Sequence, residues 1–300
     1  MPRARNGAIE LEYDTFGRRT DRPLLLVMGL GAQMIVWREG FCEQLAEAGH
    51  YVVRFDNRDV GLSTKLDEHG VPSMLELAAA LMRGERPQVP YTLDDMADDA
   101  IAVLDAEGIG RAHVCGASLG GMVVQAMAIR HPARLMSMTS IMSTTGNPEL
   151  PRATPEAMAV LTAPPATTRE ESIERSVRSS RVIGSQTHIA DPDEVRAFAA
   201  QAYDRSFYPV GVARQMAAAT AHGNRRAALE SVQLPTLVLH GREDPLIPVS
   251  SGIDTWQAIA GADLLVLAGM GHDMPKPLWP RITRAISDLT NGAELTARAS

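Results

Sequence analysis

The sequence has few cysteines and no long apolar run. Its two cysteines, Cys42 and Cys115, give neither the spacing of a metal site nor a disulfide framework. No segment approaches the roughly 20 consecutive apolar residues that a membrane-spanning helix needs. Positive charges near the start are not followed by an apolar stretch, as they would be in a secretory signal. We therefore expect a soluble, cytoplasmic protein that does not bind membranes.

Basic patches, repeats and low-complexity tracts are also missing. The formal net charge is -7, and no cluster of Lys and Arg is interleaved with aromatic residues, so nucleic acid is not an expected partner. The 300 residues are enough to bury a core without disulfides or metals. We expect a monomer or homodimer that acts on a small molecule and needs no metal or cofactor.

Short, nearly continuous apolar runs recur along the chain and are typical of strands buried on both faces, as in a parallel sheet. They lie at residues 24–28, 51–55, 113–115, 136–142, 236–239 and 264–267. Residues 9–13 alternate between apolar and polar side chains, which predicts an antiparallel edge strand with one wet face. Helical patterns separate the runs. The sequence therefore predicts an α/β fold with a mostly parallel, doubly wound sheet.

The segment 93–107 shows a clear helical pattern, with apolar residues at spacings of three and four. Thr92 is the expected N-cap, because its hydroxyl can accept a hydrogen bond from the first turn. Four carboxylates form an acidic cluster in this segment: Asp94, Asp95, Asp98 and Asp99. We interpret the cluster as a helix start and an exposed face rather than a metal site.

The alternation of strands and helices breaks between residues 143 and 230. Seven prolines punctuate this stretch, and the segments 169–182 and 193–203 have helical patterns. The sequence predicts a helical insertion at 143–230 in a core formed by residues 1–142 and 231–300. Apolar residues in or beside the insertion could line a substrate pocket or form its core: Met142, Met158, Leu161, Phe198, Tyr203, Phe207, Tyr208 and Met216.

The clearest chemical motif is Gly116-Ala117-Ser118-Leu119-Gly120, a G-x-S-x-G sequence. An apolar strand precedes it and an apolar helix follows, as in the nucleophile elbow of serine hydrolases. Glycine at 116 and 120 lets strand and helix approach, and the turn holds Ser118 in a strained conformation above the sheet. The motif predicts a nucleophile at Ser118. The alternative is an ordinary glycine-rich turn with a capping serine.

A serine hydroxyl is a poor nucleophile without an adjacent base, and the base is oriented by a carboxylate. In this arrangement the acid follows the serine in the chain and the histidine comes last. Asp244 and its rival Glu243 follow the strand at 236–239. Catalytic groups gather at this end of the strands in open α/β sheets.

The base should follow the last strand. His272 lies after that strand in a glycine-rich loop, whereas His240, the nearest competitor, precedes the acid. We expect the backbone N–H groups of Leu30 and Leu119 to stabilise the oxyanion. One such donor contributes about 3 kcal/mol to stabilisation of the transition state.

Together these residues resemble the α/β-hydrolase superfamily over nearly the whole chain. Within it, the chain is most similar to the group that contains aclacinomycin methylesterase and haloperoxidase-like esterases. The similarity rests on residues 27–29, 54–63, 116–121 and 269–272. It implies that the insertion is a cap over the active site and that Asp244, which precedes a proline, is the acid of the triad.

Two positions depart from the common pattern of the superfamily. Met28 stands where many relatives have a histidine, so the oxyanion loop must be ordered by other groups. Asp59 stands where glycine is usual, although sequences similar to aclacinomycin methylesterase share this aspartate. We interpret Asp56 and Arg58 as structural residues.

The sequence predicts a serine hydrolase that cleaves a carboxylic ester, with a small or hydrophobic substrate, through an acyl-enzyme. Perhydrolysis or cleavage of a carbon–carbon bond could use the same triad. A ligand-binding protein on a hydrolase scaffold is an alternative of another class. Ser118 argues against members of the fold that use an aspartate nucleophile, such as epoxide hydrolases and haloalkane dehalogenases.

Overall fold

The computed structural model describes residues 2–85 and 87–299, with side chains up to Leu295. Its strands are β1 (Arg3–Asn6), β2 (Ile9–Phe16), β3 (Arg22–Val27), β4 (His50–Phe55), β5 (Ala112–Ala117), β6 (Leu135–Ile141), β7 (Thr236–Gly241) and β8 (Asp263–Leu267). They form one sheet in the order β1-β2-β4-β3-β5-β6-β7-β8. The pairs β1–β2 and β2–β4 are antiparallel and all others are parallel.

The predicted mostly parallel sheet is confirmed, and each of the six apolar runs forms a strand. The prediction that residues 9–13 form the edge strand was wrong. β1 pairs outside this strand, with Ala4 opposite Leu11. β1 has only four residues, three of them polar or charged, so it lacks the alternation by which a strand is recognised.

Eleven α-helices occur in the described residues. They are α1 (Glu39–Glu47), α2 (Met74–Met82), α3 (Leu93–Ala106), α4 (Leu119–Arg130), α5 (Pro155–Leu161), α6 (Arg169–Ile183), α7 (Pro192–Arg205), α8 (Pro209–His222), α9 (Arg226–Leu229), α10 (Val249–Ala258) and α11 (Trp279–Ala299). α3, α4 and the end of α10 pack on one face of the sheet, and α1 and α11 pack on the other. None of the helices in the described part is both long and apolar enough to cross a membrane.

The helix predicted at 93–107 is present as α3, and Thr92 caps it in a reciprocal capping box with Asp95. The interpretation of the acidic cluster as exposed was wrong for Asp99, which is buried and forms a bidentate ion pair with Arg58 at 2.6 and 2.8 Å. Asp99 lies on the face of α3 that packs against the sheet, so its carboxylate needs a buried cation.

Five helices, α5 to α9, lie between β6 and β7, and the described residues of this stretch contain no strand. α6 and α7 coincide closely with the helical patterns predicted at 169–182 and 193–203. They pack against each other, and α5 packs on α6. α9 differs from these helices because it packs on α4 and α10 of the core.

A buried ion pair joins α8 to the loop after β4. Asp59 has a φ of 68° and accepts two hydrogen bonds of 2.8 Å from Arg214 of α8, and both side chains are fully buried. Aspartate tolerates positive φ better than most residues. Asp59 can therefore occupy a position where glycine is usual, and its carboxylate neutralises the buried guanidinium of Arg214.

Asp59→Asn should lower the free energy of unfolding by about 3–5 kcal/mol, because it leaves the Arg214 guanidinium buried without a counter-charge. Asparagine also tolerates positive φ, so the change isolates the charge. The matched control is Asp204→Asn, which removes one carboxylate from an exposed bidentate pair with Arg169. Urea unfolding should separate the two variants. Equal midpoints would contradict a stabilising role for the buried pair.

Candidate active site

The turn between β5 and α4 holds Ser118 in a conformation that few residues adopt. Ser118 has φ 55° and ψ -119°, and its N–H donates to the carbonyl of Ile141 in β6. A Cβ on Gly116 would lie 2.1 Å from the carbonyl oxygen of Gly120, and one on Gly120 would lie 2.0 Å from that of Val27. Only glycine at 116 and 120 allows this turn.

Three predicted site residues form one chain of hydrogen bonds. Ser118 Oγ lies 3.0 Å from Nε2 of His272, and Nδ1 of His272 lies 2.7 Å from Oδ2 of Asp244. A carboxylate only accepts, so Nδ1–H donates to Asp244 and the neutral imidazole accepts the serine proton at Nε2. The three residues come from loops after β5, β7 and β8, which end at the same edge of the sheet.

The carboxylate of Asp244 is buried and well supplied with donors. Its Oδ1 accepts the N–H groups of Leu246 and Ile247, both at 2.9 Å. Burial opposes the charged form, but the charge of His272, the neighbouring His240 and the backbone donors together lower the pKa of Asp244 to about 2. Asp244 is therefore ionised at neutral pH.

The rival residues have other partners. Glu243 accepts the N–H of Gly269 at 2.7 Å, so it holds the beginning of the histidine loop. His240 is buried and donates from Nε2 to the carbonyl of Ile247 at 2.8 Å, which stabilises the loop that carries Asp244. Nε2 of His240 also lies 3.6 Å from Oδ2 of Asp244. Neither rival residue belongs to the hydrogen-bonded chain of Ser118, His272 and Asp244.

Leu30 and Leu119 line the same cavity as Ser118. Within residues 2–85 and 87–299, neither of their backbone N–H groups has an intramolecular acceptor. Leu119 is the first residue of α4, where a free N–H and the helix dipole favour a negative charge. Both N–H groups are therefore free of an intramolecular acceptor in the described part of the chain, as a donor to an oxyanion must be.

Two residues that the sequence did not indicate order the loop around Leu30. Asn57 Nδ2 donates to the carbonyl of Met28 at 2.9 Å, and Gln215 of α8 accepts the N–H of Gly31 at 2.8 Å. They fix the loop in which Met28 stands where many relatives have a histidine. Asn57 lies in the segment 54–63 that carried the family resemblance, but nothing in its spacing revealed this contact.

A cavity of about 1050 Å³ opens above the serine, between the sheet edge and the helices of residues 143–230. Half of the predicted pocket residues line it: Met142, Met158, Leu161 and Met216. The four aromatic residues do not. Arg38 stacks on the ring of Phe198, Tyr203 and Phe207 stack on each other, and Tyr208 bonds to Arg214. The part of the chain that the structure describes has no cluster of three His, Cys, Asp or Glu residues that could hold a metal.

A family model of the α/β-hydrolase fold matches residues 22–275, which include all three members of the hydrogen-bonded chain. The chain belongs to this family. Rhodomycin D methylesterase DauP of Streptomyces sp. (strain C5) is 30% identical to this hydrolase over 95% of the chain and 96% of its own length. The predicted resemblance to a methylesterase group is confirmed, and it supports a carboxylic ester hydrolase.

Other relatives of this α/β hydrolase have different names. A 2-hydroxymuconate semialdehyde hydrolase of Pseudomonas sp. (strain CF600) is 30% identical over 67% of the chain and 68% of its own length. A meta-cleavage product hydrolase from Pseudomonas fluorescens IP01 superimposes with a TM-score of 0.76 over 98% of both chains at 20% identity. The superposition confirms the fold.

Asp244→Asn should change how stability depends on pH. The pKa of Asp244 is lowered in the folded state, so its contribution is complete above the unfolded value near 4 and is lost as pH falls toward 2. The difference in unfolding free energy between the wild type and Asp244→Asn should therefore shrink by about 2 kcal/mol between pH 5 and pH 2. Urea titrations across that range measure it. If the difference in unfolding free energy stays constant between pH 5 and pH 2, folding does not lower the pKa of Asp244.

Proposed function

We propose that this hydrolase cleaves a carboxylic ester through an acyl-enzyme on Ser118. The observation that carries the proposal is the continuous hydrogen-bonded chain from Ser118 through His272 to Asp244. It supplies a nucleophile and a base at the floor of one cavity, and behind them a buried charge that orients the base. The methylesterase relative supports an ester as the substrate.

In the proposed reaction, Ser118 Oγ attacks the ester carbonyl while its proton passes to Nε2 of His272. Asp244 stabilises the imidazolium. The developing oxyanion accepts hydrogen bonds from the N–H groups of Leu30 and Leu119, which need no reorganisation because they are already free. His272 then returns the proton to the leaving alcohol.

The second half of the reaction repeats these roles. The departed alcohol leaves room for a water molecule, and His272 Nε2 takes a proton from that water as it attacks the acyl carbonyl. The tetrahedral oxyanion again occupies the site beside Leu30 and Leu119. Its collapse releases the acid and returns the proton to Ser118.

We propose that the substrate is the ester of a large, mainly apolar acid and that residues 143–230 form a cap that selects it. A volume of about 1050 Å³ is at the upper end of the range for small-molecule sites, which are mostly apolar. The relative DauP is named for the methyl ester of rhodomycin D. A large acyl group with a small alcohol fits both observations.

Carbon–carbon bond hydrolysis is the second candidate. The observation that favours it is the similarity to a 2-hydroxymuconate semialdehyde hydrolase. Both reactions use a serine, a histidine and a carboxylate at the same edge of the sheet. Turnover of a methyl ester and of a vinylogous 1,5-diketone by the same preparation distinguishes them.

Ser118→Ala should remain folded and lose ester turnover by at least about 1000-fold, because the oxyanion donors alone give only residual catalysis. The measurement is kcat/KM for an activated acetate, with circular dichroism as the check on folding. Ser287→Ala is the matched control. Ser287 is a buried serine in α11 that donates from Oγ to the carbonyl of Thr283 and does not line the cavity. A folded Ser118→Ala protein with wild-type hydrolysis would disprove the proposed function.

Met216→Ala should change substrate preference by about tenfold or more, because apolar pockets discriminate by roughly 1–3 kcal/mol per methylene. Met216 lines the cavity, whereas Phe207 does not, so Phe207→Ala is the control. The measurement is the ratio of kcat/KM for a long-chain and a short-chain methyl ester. Met216→Ala should retain the hydrolysis of a small acetate. An unchanged ratio in Met216→Ala would contradict the assignment of this cavity to the acyl group.

A further inference from the structure

The loop that carries His272 is held from two sides. On the sheet side, Glu243 accepts the N–H of Gly269 and donates its own N–H to the carbonyl of Met270. On the other side lies the end of α6, which belongs to the insertion at 143–230. His272 donates its backbone N–H to the carbonyl of Ile183 at 2.7 Å. The backbone of the base is therefore bonded directly to the insertion.

Ser185, just beyond α6, makes the side-chain contact between the two segments. It is 3% exposed. Its Oγ accepts the N–H of Gly271 at 3.0 Å and donates to Oδ1 of Asp273, and its backbone N–H donates to the same Oδ1 at 3.0 Å. One hydroxyl thus bonds to the residues on both sides of His272.

Gly271 allows the two backbones to come this close. A Cβ on Gly271 would lie 2.6 Å from the carbonyl oxygen of Gly184, and a Cβ on Gly184 would lie 3.2 Å from Oδ2 of Asp273. At Gly271 the two segments therefore pack backbone against backbone. Small movements of the end of α6 must be transmitted to the histidine loop.

We propose that Ser185 and Asp273 are positioning residues for His272, so that the insertion sets the orientation of the base as well as the shape of the pocket. This rests on the proposed function, in which Nε2 of His272 takes the proton of Ser118. Neither Ser185 nor Asp273 bonds to the reacting groups. They act by fixing the backbone on each side of the imidazole, whose outer end meets Ser118 at 3.0 Å.

Removal of the Ser185 hydroxyl leaves the Gly271 N–H and the half-buried carboxylate of Asp273 each short of a partner. The histidine loop then loses two of its four hydrogen bonds to the end of α6 and keeps those from His272 N–H to Ile183 and from Ser185 N–H to Asp273. A displacement of about 1 Å at a catalytic group costs up to about 100-fold in rate. We expect Ser185→Ala and Asp273→Ala to lower kcat for a small activated acetate by between about 10-fold and 100-fold. The KM should change little, because such an ester is too small to depend on the cap.

The Asp273→Asn variant keeps the hydrogen-bond acceptor at position 273 and removes the negative charge. Asparagine retains the Oδ1 acceptor that both Ser185 donors use, so most of the kcat should be restored. An Asp273→Asn protein as slow as Asp273→Ala would contradict the role of Asp273 as a hydrogen-bond acceptor. Thr168→Ala is the control for destabilisation of the same helix. Thr168 caps the opposite end of α6 by accepting the N–H of Glu171 and does not approach His272.

The orientation of the base can also be observed without substrate. The His272 Nδ1 proton, held 2.7 Å from its carboxylate acceptor, should give a far-downfield proton resonance, assigned by its loss in His272→Ala. We expect this resonance in the wild type, Asp273→Asn and Thr168→Ala, and its loss or broadening in Ser185→Ala and Asp273→Ala.

The proposal is overturned if folded Ser185→Ala and Asp273→Ala proteins retain wild-type kcat and the resonance. The proposed function fails independently, if Ser118→Ala remains active. Thermal unfolding of every variant measures how far each change destabilises the protein. The loss of kcat in Ser185→Ala and Asp273→Ala should exceed the loss in Thr168→Ala when the unfolding temperatures are similar.

Discussion

Close backbone contact at the turn between β5 and α4 is the constraint on which the rest of the site depends. The contact places the first turn of α4 against β3 and β5, and only glycine at 116 and 120 leaves room for it. It fixes Ser118 at positive φ with its hydroxyl toward His272 and leaves the N–H of Leu119 free. A larger side chain at either glycine would separate helix from strand and displace the Ser118 hydroxyl and the Leu119 N–H together.

The parallel order of the strands brings the other residues of the candidate site to this turn, and buried ion pairs and hydrogen bonds hold the surrounding helices in place. The loops after β7 and β8 carry Asp244 and His272 to the edge where β5 ends. The helices between β6 and β7 are attached to the rest of the chain at separate points, which include the buried pair of Asp59 and Arg214 and the contact of Ser185 with the histidine loop. These contacts hold α8 against the loop after β4 and the end of α6 against the loop that carries His272.

Much of this could be predicted from the sequence. Parallel strands buried on both faces are recognisable as apolar runs in the sequence. The G-x-S-x-G motif, followed along the chain first by the aspartate and then by the histidine, indicates the candidate site. What was missed depends on contacts between distant segments. Asp99 looked exposed because its partner Arg58 lies 41 residues away, and Ser185 is 88 residues from Asp273. Such pairs leave no periodic pattern, and β1 is too short to show one.

The most direct test of the account is the identification of the residue that becomes acylated. The protein is mixed with an activated ester of a slowly hydrolysed acid, quenched with acid during turnover, digested and examined by peptide mass spectrometry. The account predicts the mass of one acyl group on Ser118, and its absence when His272→Ala is treated in the same way for the same time. An acyl group on another residue, or steady turnover with no acylated peptide when deacylation is the slow step, would contradict it.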